Sequence, residues 1–172
     1  MIKASVIVLA ASMLLVACPA KKSSTAATPA AKAAPAKAAP AAPAKTAGLA
    51  LKKLGLTIAL PADSNVTDMG DSTMIQGGGT VVNVGVAGAS DPKDFAEAEK
   101  GMKDYSPTKV GEKTKTADGW VITFENKGGM GTNYFAWVRR TIGGKQIKCE
   151  TTASTADQQA KAVAACKSLT KG

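Results

Sequence analysis

The sequence predicts an α+β fold over residues 54–172: an antiparallel sheet of about six to seven strands packed with two helices. Three observations carry this. Several short runs place apolar residues at every second position, the period that a strand imposes. Glycine-rich and Asp-Gly turns separate those runs, at Gly77-Gly78-Gly79, Asp118-Gly119 and Gly143-Gly144, and such residues supply the positive φ of tight hairpins. Two further stretches have helical spacing, and runs of strands divided by helices indicate α+β rather than α/β topology.

Ahead of this part, Met1, Ile2 and Lys3 precede an apolar run over 4–16 that ends in Leu15-Val16-Ala17-Cys18. A basic start, an apolar centre and small residues at a cleavage point are the layout of a secretory signal, here 1–17. The run is shorter than the roughly 20 residues of a membrane-spanning helix. Leu15-Val16-Ala17-Cys18 resembles the lipobox of bacterial lipoproteins, in which the cysteine is lipidated and becomes the first mature residue. The resemblance covers 18 residues and implies lipidation of Cys18 and attachment to a membrane of the cell envelope. Ordinary cleavage is the rival reading, although no clean Ala-x-Ala stands nearby. Pro19 occupies the place of the Asp linked to inner-membrane retention in enteric bacteria, which points to the periplasmic side of the outer membrane.

Residues 18–53 read as a disordered tether. From 19 to 47 the chain is almost entirely Ala, Pro, Lys, Ser and Thr, and Pro19, Pro29, Pro35, Pro40 and Pro43 interrupt any helix that the alanines start. Some 30 such residues reach roughly 90 Å when fully extended and about 30 Å as a random coil. A basic tether of this kind has anionic lipid or peptidoglycan as possible contacts.

The folded part begins with Leu56-Thr57-Ile58-Ala59-Leu60, an alternating strand stopped at Pro61. Residues 63–71 read as a polar loop. Strands over 72–76 and 80–86 follow, joined by the triple glycine, with Val82, Val84 and Val86 on one face. A first helix is expected with Asp91 as N-cap, Pro92 at the first position and Phe95, Ala98 and Met102 as its apolar stripe. Glu99 and Lys103 are spaced to pair on it. Four strands over 108–116, 120–126, 133–142 and 145–153 form a meander, with Asp118-Gly119 and Gly143-Gly144 central in type I′ turns. The third of these has apolar residues on both faces, so it should lie inside the sheet and be covered on both sides. The last helix starts at Ser154, with Asp157 three residues on, and buries Ala160, Val163, Ala164 and Leu169.

Charge and cysteine narrow the function classes. The formal charge of +9 is uneven: seven lysines lie between Cys18 and Leu54, whereas from Leu54 onward 14 basic residues meet 13 acidic ones. A nearly neutral domain lacks the electrostatic footprint of nucleic-acid binding. With Cys18 lipidated, Cys149 and Cys166 remain. In an exported chain two such cysteines pair as a disulfide, joining the final strand to the final helix; two buried free thiols are the alternative. No histidine occurs anywhere, which removes His-based triads, Cys-His dyads and most zinc sites.

Leu60-Pro61-Ala62-Asp63 after a strand, the central helix, the Asp118-Gly119-Trp120 hairpin and the closing helix are similar to the PsbP-like sandwich found in some bacterial lipoproteins. The likeness spans 54–171 through pattern alone. It implies a binding or assembly factor, and no functional residue carries over.

Candidate sites are few. Asp63, Asn65, Asp68 and Asp71 form an oxygen-rich stretch, but Asp68 stands where a calcium loop needs Gly and no Glu closes it. Asn65-Val66-Thr67 fits the glycosylation acceptor, which seldom matters in a bacterium. The glycine clusters join strands to strands, so they are turns rather than phosphate cradles. Arg139 and Arg140 fall on opposite faces of a strand; one is free to meet an anionic ligand, or both pair with Glu125 and Glu150 on neighbouring strands. Trp120, Trp137, Tyr134 and Phe135 are core residues or line a ligand cleft. Asp94 and Glu97, set among lysines, are surface charges. The expectation is a monomeric, non-catalytic binding or assembly module for a protein or envelope component, with no cofactor, metal or catalytic residue; the alternative is a small-ligand carrier using an aromatic-lined pocket.

Overall fold

The computed structural model describes residues 48–172. The signal segment 1–17, the lipidation site Cys18 and the tether as far as residue 47 lie outside the described residues. Chain order is β1 (Gly48–Leu51), β2 (Leu56–Ala59), β3 (Asn65–Met69), β4 (Ser72–Gly77), β5 (Thr80–Val86), α1 (Phe95–Asp104), β6 (Lys109–Thr116), β7 (Gly119–Gly128), β8 (Gly131–Ile142), β9 (Lys145–Ala153), α2 (Ala156–Lys167) and β10 (Thr170–Lys171). Seven strands form one antiparallel sheet in the order β3-β4-β5-β9-β8-β7-β6, and β1-β2-β10 form a small second sheet. The α+β class, the seven antiparallel strands, the two helices and the β6–β9 meander are all present.

Membership of the sheet differs from the sequence expectation in three places. Residues 63–71 contain β3 rather than only a loop: it pairs with β4 in register from Asn65↔Gln76 to Met69↔Ser72. Its five residues are all exposed, so no apolar alternation marks it. Gly70 at φ +58° makes the tight turn. Leu56–Ala59 leaves the main sheet for the small one. Its partner β1 falls within the stretch assigned to the tether, and Leu51 is buried there.

Two cores result. Leu51, Leu56 and Ile58 of the small sheet and Leu60 just after β2 pack with Val82, Val84, Val121 and Val138 and with Ala162, Ala165 and Cys166 of α2. On the opposite face, α1 lays Ala98 and Met102 over Trp120, Ile122, Phe124 and Phe135. Strand β8 contributes Val138 to the first core and Phe135 to the second, which accounts for its apolar residues on both faces. Cys149 of β9 and Cys166 of α2 form the disulfide, their Cα atoms 5.6 Å apart, within the first core.

Local signals shift by small steps. Helix α1 is capped by Asp94, whose Oδ1 accepts from the Glu97 N–H at 2.9 Å, while Glu97 Oε2 accepts from the Lys93 N–H. Asp94 is thus the N-cap, Glu97 takes up the N–H of the residue before it, and Asp91 does other work. Glu99 pairs with Lys113 of β6 and not with Lys103. Helix α2 is capped by Thr155, which accepts from the Gln158 N–H, and Gln158 in turn accepts from Ser154. Its buried face is Ala162, Ala165 and Cys166, with Ala160 and Ala164 exposed. The β6–β7 turn centres on Ala117-Asp118, because Thr116 pairs with Gly119, and neither central residue has positive φ. Gly119 is needed for another reason: a Cβ there would lie 1.9 Å from the Arg139 carbonyl oxygen. Gly78-Gly79 and Gly143-Gly144 do adopt the positive φ expected of type I′ turns.

Candidate functional site

The strongest candidate lies on the α1 face of the sheet. Register places Trp120, Ile122 and Phe124 of β7 opposite Arg139, Trp137 and Phe135 of β8, and Lys148 and Glu150 of β9 opposite Arg139 and Trp137. Because side chains alternate, all of these project to the side that α1 covers only in part. Tyr105, the residue after α1, closes the group: its ring lies 5.2 Å from Trp137, 5.3 Å from Phe135 and 5.6 Å from Phe124, each edge to face. Phe124 and Phe135 stack at 4.7 Å.

Beside this cluster opens a cleft of about 290 Å³, bordered by Asp91, Pro92, Asp104, Tyr105, Trp120, Trp137 and Glu150. A larger concavity of about 480 Å³ lies near Thr80 and Thr151, but no ionisable or aromatic side chain lines it. The α1-face cleft has both, and a few convergent polar groups on an apolar wall are what a ligand site requires.

Charged groups line and adjoin it. Arg139 is only 2 % exposed; its guanidinium lies over the Trp120 ring at 5.4 Å and its Nη2 is 3.9 Å from Asp91 Oδ1. Asp91 is held more tightly elsewhere. Lys148 Nζ donates to both its oxygens at 2.9 and 3.0 Å, and the Gly88 N–H donates to Oδ2 at 2.7 Å. Burial works to raise the Asp91 carboxyl, but the bonds from Lys148 and Gly88, with the charges of Lys148 and Arg139, outweigh it and hold the group below the usual range. Desolvation lowers Arg139 from its ordinary value, although a guanidinium remains a cation. Desolvation also raises Glu150, against the pull of Lys148 and Arg139. Among the described residues Glu150 has no ion-pair partner within 4 Å.

That raised carboxyl gives a testable sign. The folded chain keeps the Glu150 proton to higher pH than the unfolded chain does. Stability from this group is therefore complete below the ordinary glutamate range and is lost as pH rises through the raised value. We expect Glu150→Gln to raise the melting temperature by a few degrees at neutral pH and to leave it unchanged in acid. Calorimetry across pH checks this, and an equal shift at every pH would contradict it.

Arg140 is structural: it donates to Asp118 Oδ2 at 2.7 Å and to the carbonyls of Lys167 and Leu169. Glu125 pairs with Lys109, so the arginines pair with Asp118 and Asp91 and not with Glu125 or Glu150. Asp68 accepts from Thr73. Among the described residues no cluster of acids and cysteines is placed to hold a metal. Trp120 and Phe135 are core, and Trp137 is half-buried at the cleft. Tyr134 faces the other side of the sheet. Tyr105 and Asp91 are members of the site that sequence reasoning missed. No protein-family model matches the chain, and no curated protein matches it.

Proposed function

We propose that this protein is a bacterial envelope lipoprotein: lipidated at Cys18, spaced from the membrane by its Ala/Pro/Lys tether, and carrying a monomeric, non-catalytic binding or assembly domain related to the PsbP-like sandwich. The observation that carries the binding role is the α1-face cleft, where rings and charged groups converge without any nucleophile held by a base. Asp91, the best-connected acid there, is tied down by Lys148 and Gly88 and so is poorly placed to move a proton. The lipobox supports export, and Pro19 supports the outer membrane. A protein or another envelope component is the partner class; peptidoglycan is a second contact for the basic tether.

In-cell capture tests this. A photo-activated cross-linker at Tyr105, 45 % exposed on the cleft rim, should recover one recurrent envelope partner from intact cells. The same cross-linker at Met130, on the exposed β7–β8 loop tip, should not. Equal capture from both positions, or turnover of an envelope substrate by the purified protein, would defeat the proposal. A second reading, a small-ligand carrier, is favoured by the open cleft beside Trp137, which a closed core would have denied it.

A further inference from the structure

We infer that Arg139 is the anchor of a carboxylate-binding pocket, one that takes a small organic acid. This rests on reading the α1 face as a binding surface and names the chemistry that the surface would recognise. Its Nε, Nη1 and Nη2 are buried and make no hydrogen bond with any described residue. A guanidinium carries five donors in a fixed planar fork, and a buried donor without an acceptor is destabilising. The Trp120 ring faces the guanidinium but accepts none of those donors well, and Asp91 at 3.9 Å is beyond hydrogen-bond reach. Nor can Asp91 easily swing over, since Lys148 and Gly88 already engage both its oxygens.

Next to Arg139 lies a pocket of about 220 Å³, bordered by Ala87, Gly88, Asp91, Pro92, Lys93 and Gln146. It shares Asp91 and Pro92 with the aromatic cleft. The charges lining it are Arg139 and Lys93 against Asp91, with Lys148 bonded to Asp91 behind the rim and Glu150 further along the sheet. An anion is therefore favoured, and the planar fork selects a group that accepts two parallel N–H bonds. Carboxylate and phosphate both do so. The fixed negative charge of Asp91 opposes a dianion more than a monoanion, which selects carboxylate. The rest of the ligand would extend past the shared Asp91–Pro92 rim into the aromatic cleft that Trp120 and Trp137 border, so an acid with an apolar body should bind better than acetate.

The chain contains two tryptophans: Trp120 faces the Arg139 guanidinium, and both Trp120 and Trp137 border the adjoining cleft that shares Asp91 and Pro92 with the pocket. Their fluorescence in the full-length protein therefore reports on occupancy through the Trp120–Arg139 contact and the adjoining cleft. Titration with sodium cyclohexanecarboxylate should give a saturable change, sodium acetate a weaker one, and sodium chloride at equal ionic strength none. Arg139→Lys keeps the charge and loses the fork, and should weaken binding about tenfold or more; Arg139→Gln should abolish it. Lys93 is exposed, so Lys93→Gln should fold normally and still weaken binding several-fold. Absence of any saturable response, a response unchanged by Arg139→Gln or Lys93→Gln, or tighter binding of sodium phosphate would each overturn the inference. Capture of a partner at Tyr105 without carboxylate binding would overturn this site alone and leave the envelope module standing.

Discussion

Removing the Cys149–Cys166 bridge should lower the melting temperature by on the order of 10 °C. The two cysteines are 17 residues apart and join the last long strand to the last helix. In the chain-entropy model, closing a loop of that length contributes about 3 kcal/mol by restricting the unfolded chain. Against a typical net stability of 5–15 kcal/mol that is a large share, and at an unfolding entropy of about 2 cal/mol/K per residue it corresponds to the shift given. Packing adds to the effect, because Cys149 is 1 % and Cys166 0 % exposed within the core shared by α2, β5 and the small sheet. A Cys149→Ala/Cys166→Ala double variant avoids stray thiols and should melt lower than the parent protein. A reducing agent should lower the melting temperature of the parent and leave that of the variant unchanged. Equal melting of parent and variant would mean that the bridge contributes nothing to the fold.

Much of the fold was legible because the local signals were strong. The β6–β9 meander announced itself through alternation and Gly-rich turns, and Gly143-Gly144 adopts the positive φ anticipated. Elsewhere two signals competed and the weaker-looking one won. Asp91-Pro92 looks like a helix start, yet Asp94 is the N-cap, with Glu97 accepting from Lys93 just before it, and Asp91 is drawn to Lys148 on β9 through a contact 57 residues away. At the second helix Thr155 is the N-cap, one residue beyond Ser154, and Gln158 reaches back to Ser154. Strand β3 was missed for a plain reason: an exposed edge strand with polar residues on both faces carries no period to read.

The site was half legible. Sequence alone separated Arg139 from Arg140 by face, and it named Trp120 and Trp137 as either core or cleft. What it could not give was the loop that brings Asp91 over the sheet or the helix end that sets Tyr105 on the aromatic cluster. Both depend on long-range packing. Gly119 is a related case. Its turn-forming reputation suggested a role in the loop, whereas the tight approach of the Arg139 carbonyl is what excludes a side chain there.

Cys18 is the residue on which the proposed anchoring depends. A domain with a near-neutral surface needs some device to stay at an envelope membrane, and the proposal assigns that device to lipid on one sulfur. Each buried CH₂ of an acyl chain contributes about 0.8 kcal/mol, and stable anchoring takes at least two attachment signals, so loss of the lipidated residue should release the protein rather than weaken its hold. The tether's lysines attract anionic lipid only within a Debye length of about 8 Å at physiological salt, and a high-salt wash screens that attraction. Fractionating cells that express the wild type or Cys18→Ser is the direct measurement. The wild type should sediment with membranes and resist a high-salt wash, and Cys18→Ser should appear in the soluble fraction. Membrane retention of Cys18→Ser after the same wash would contradict the account.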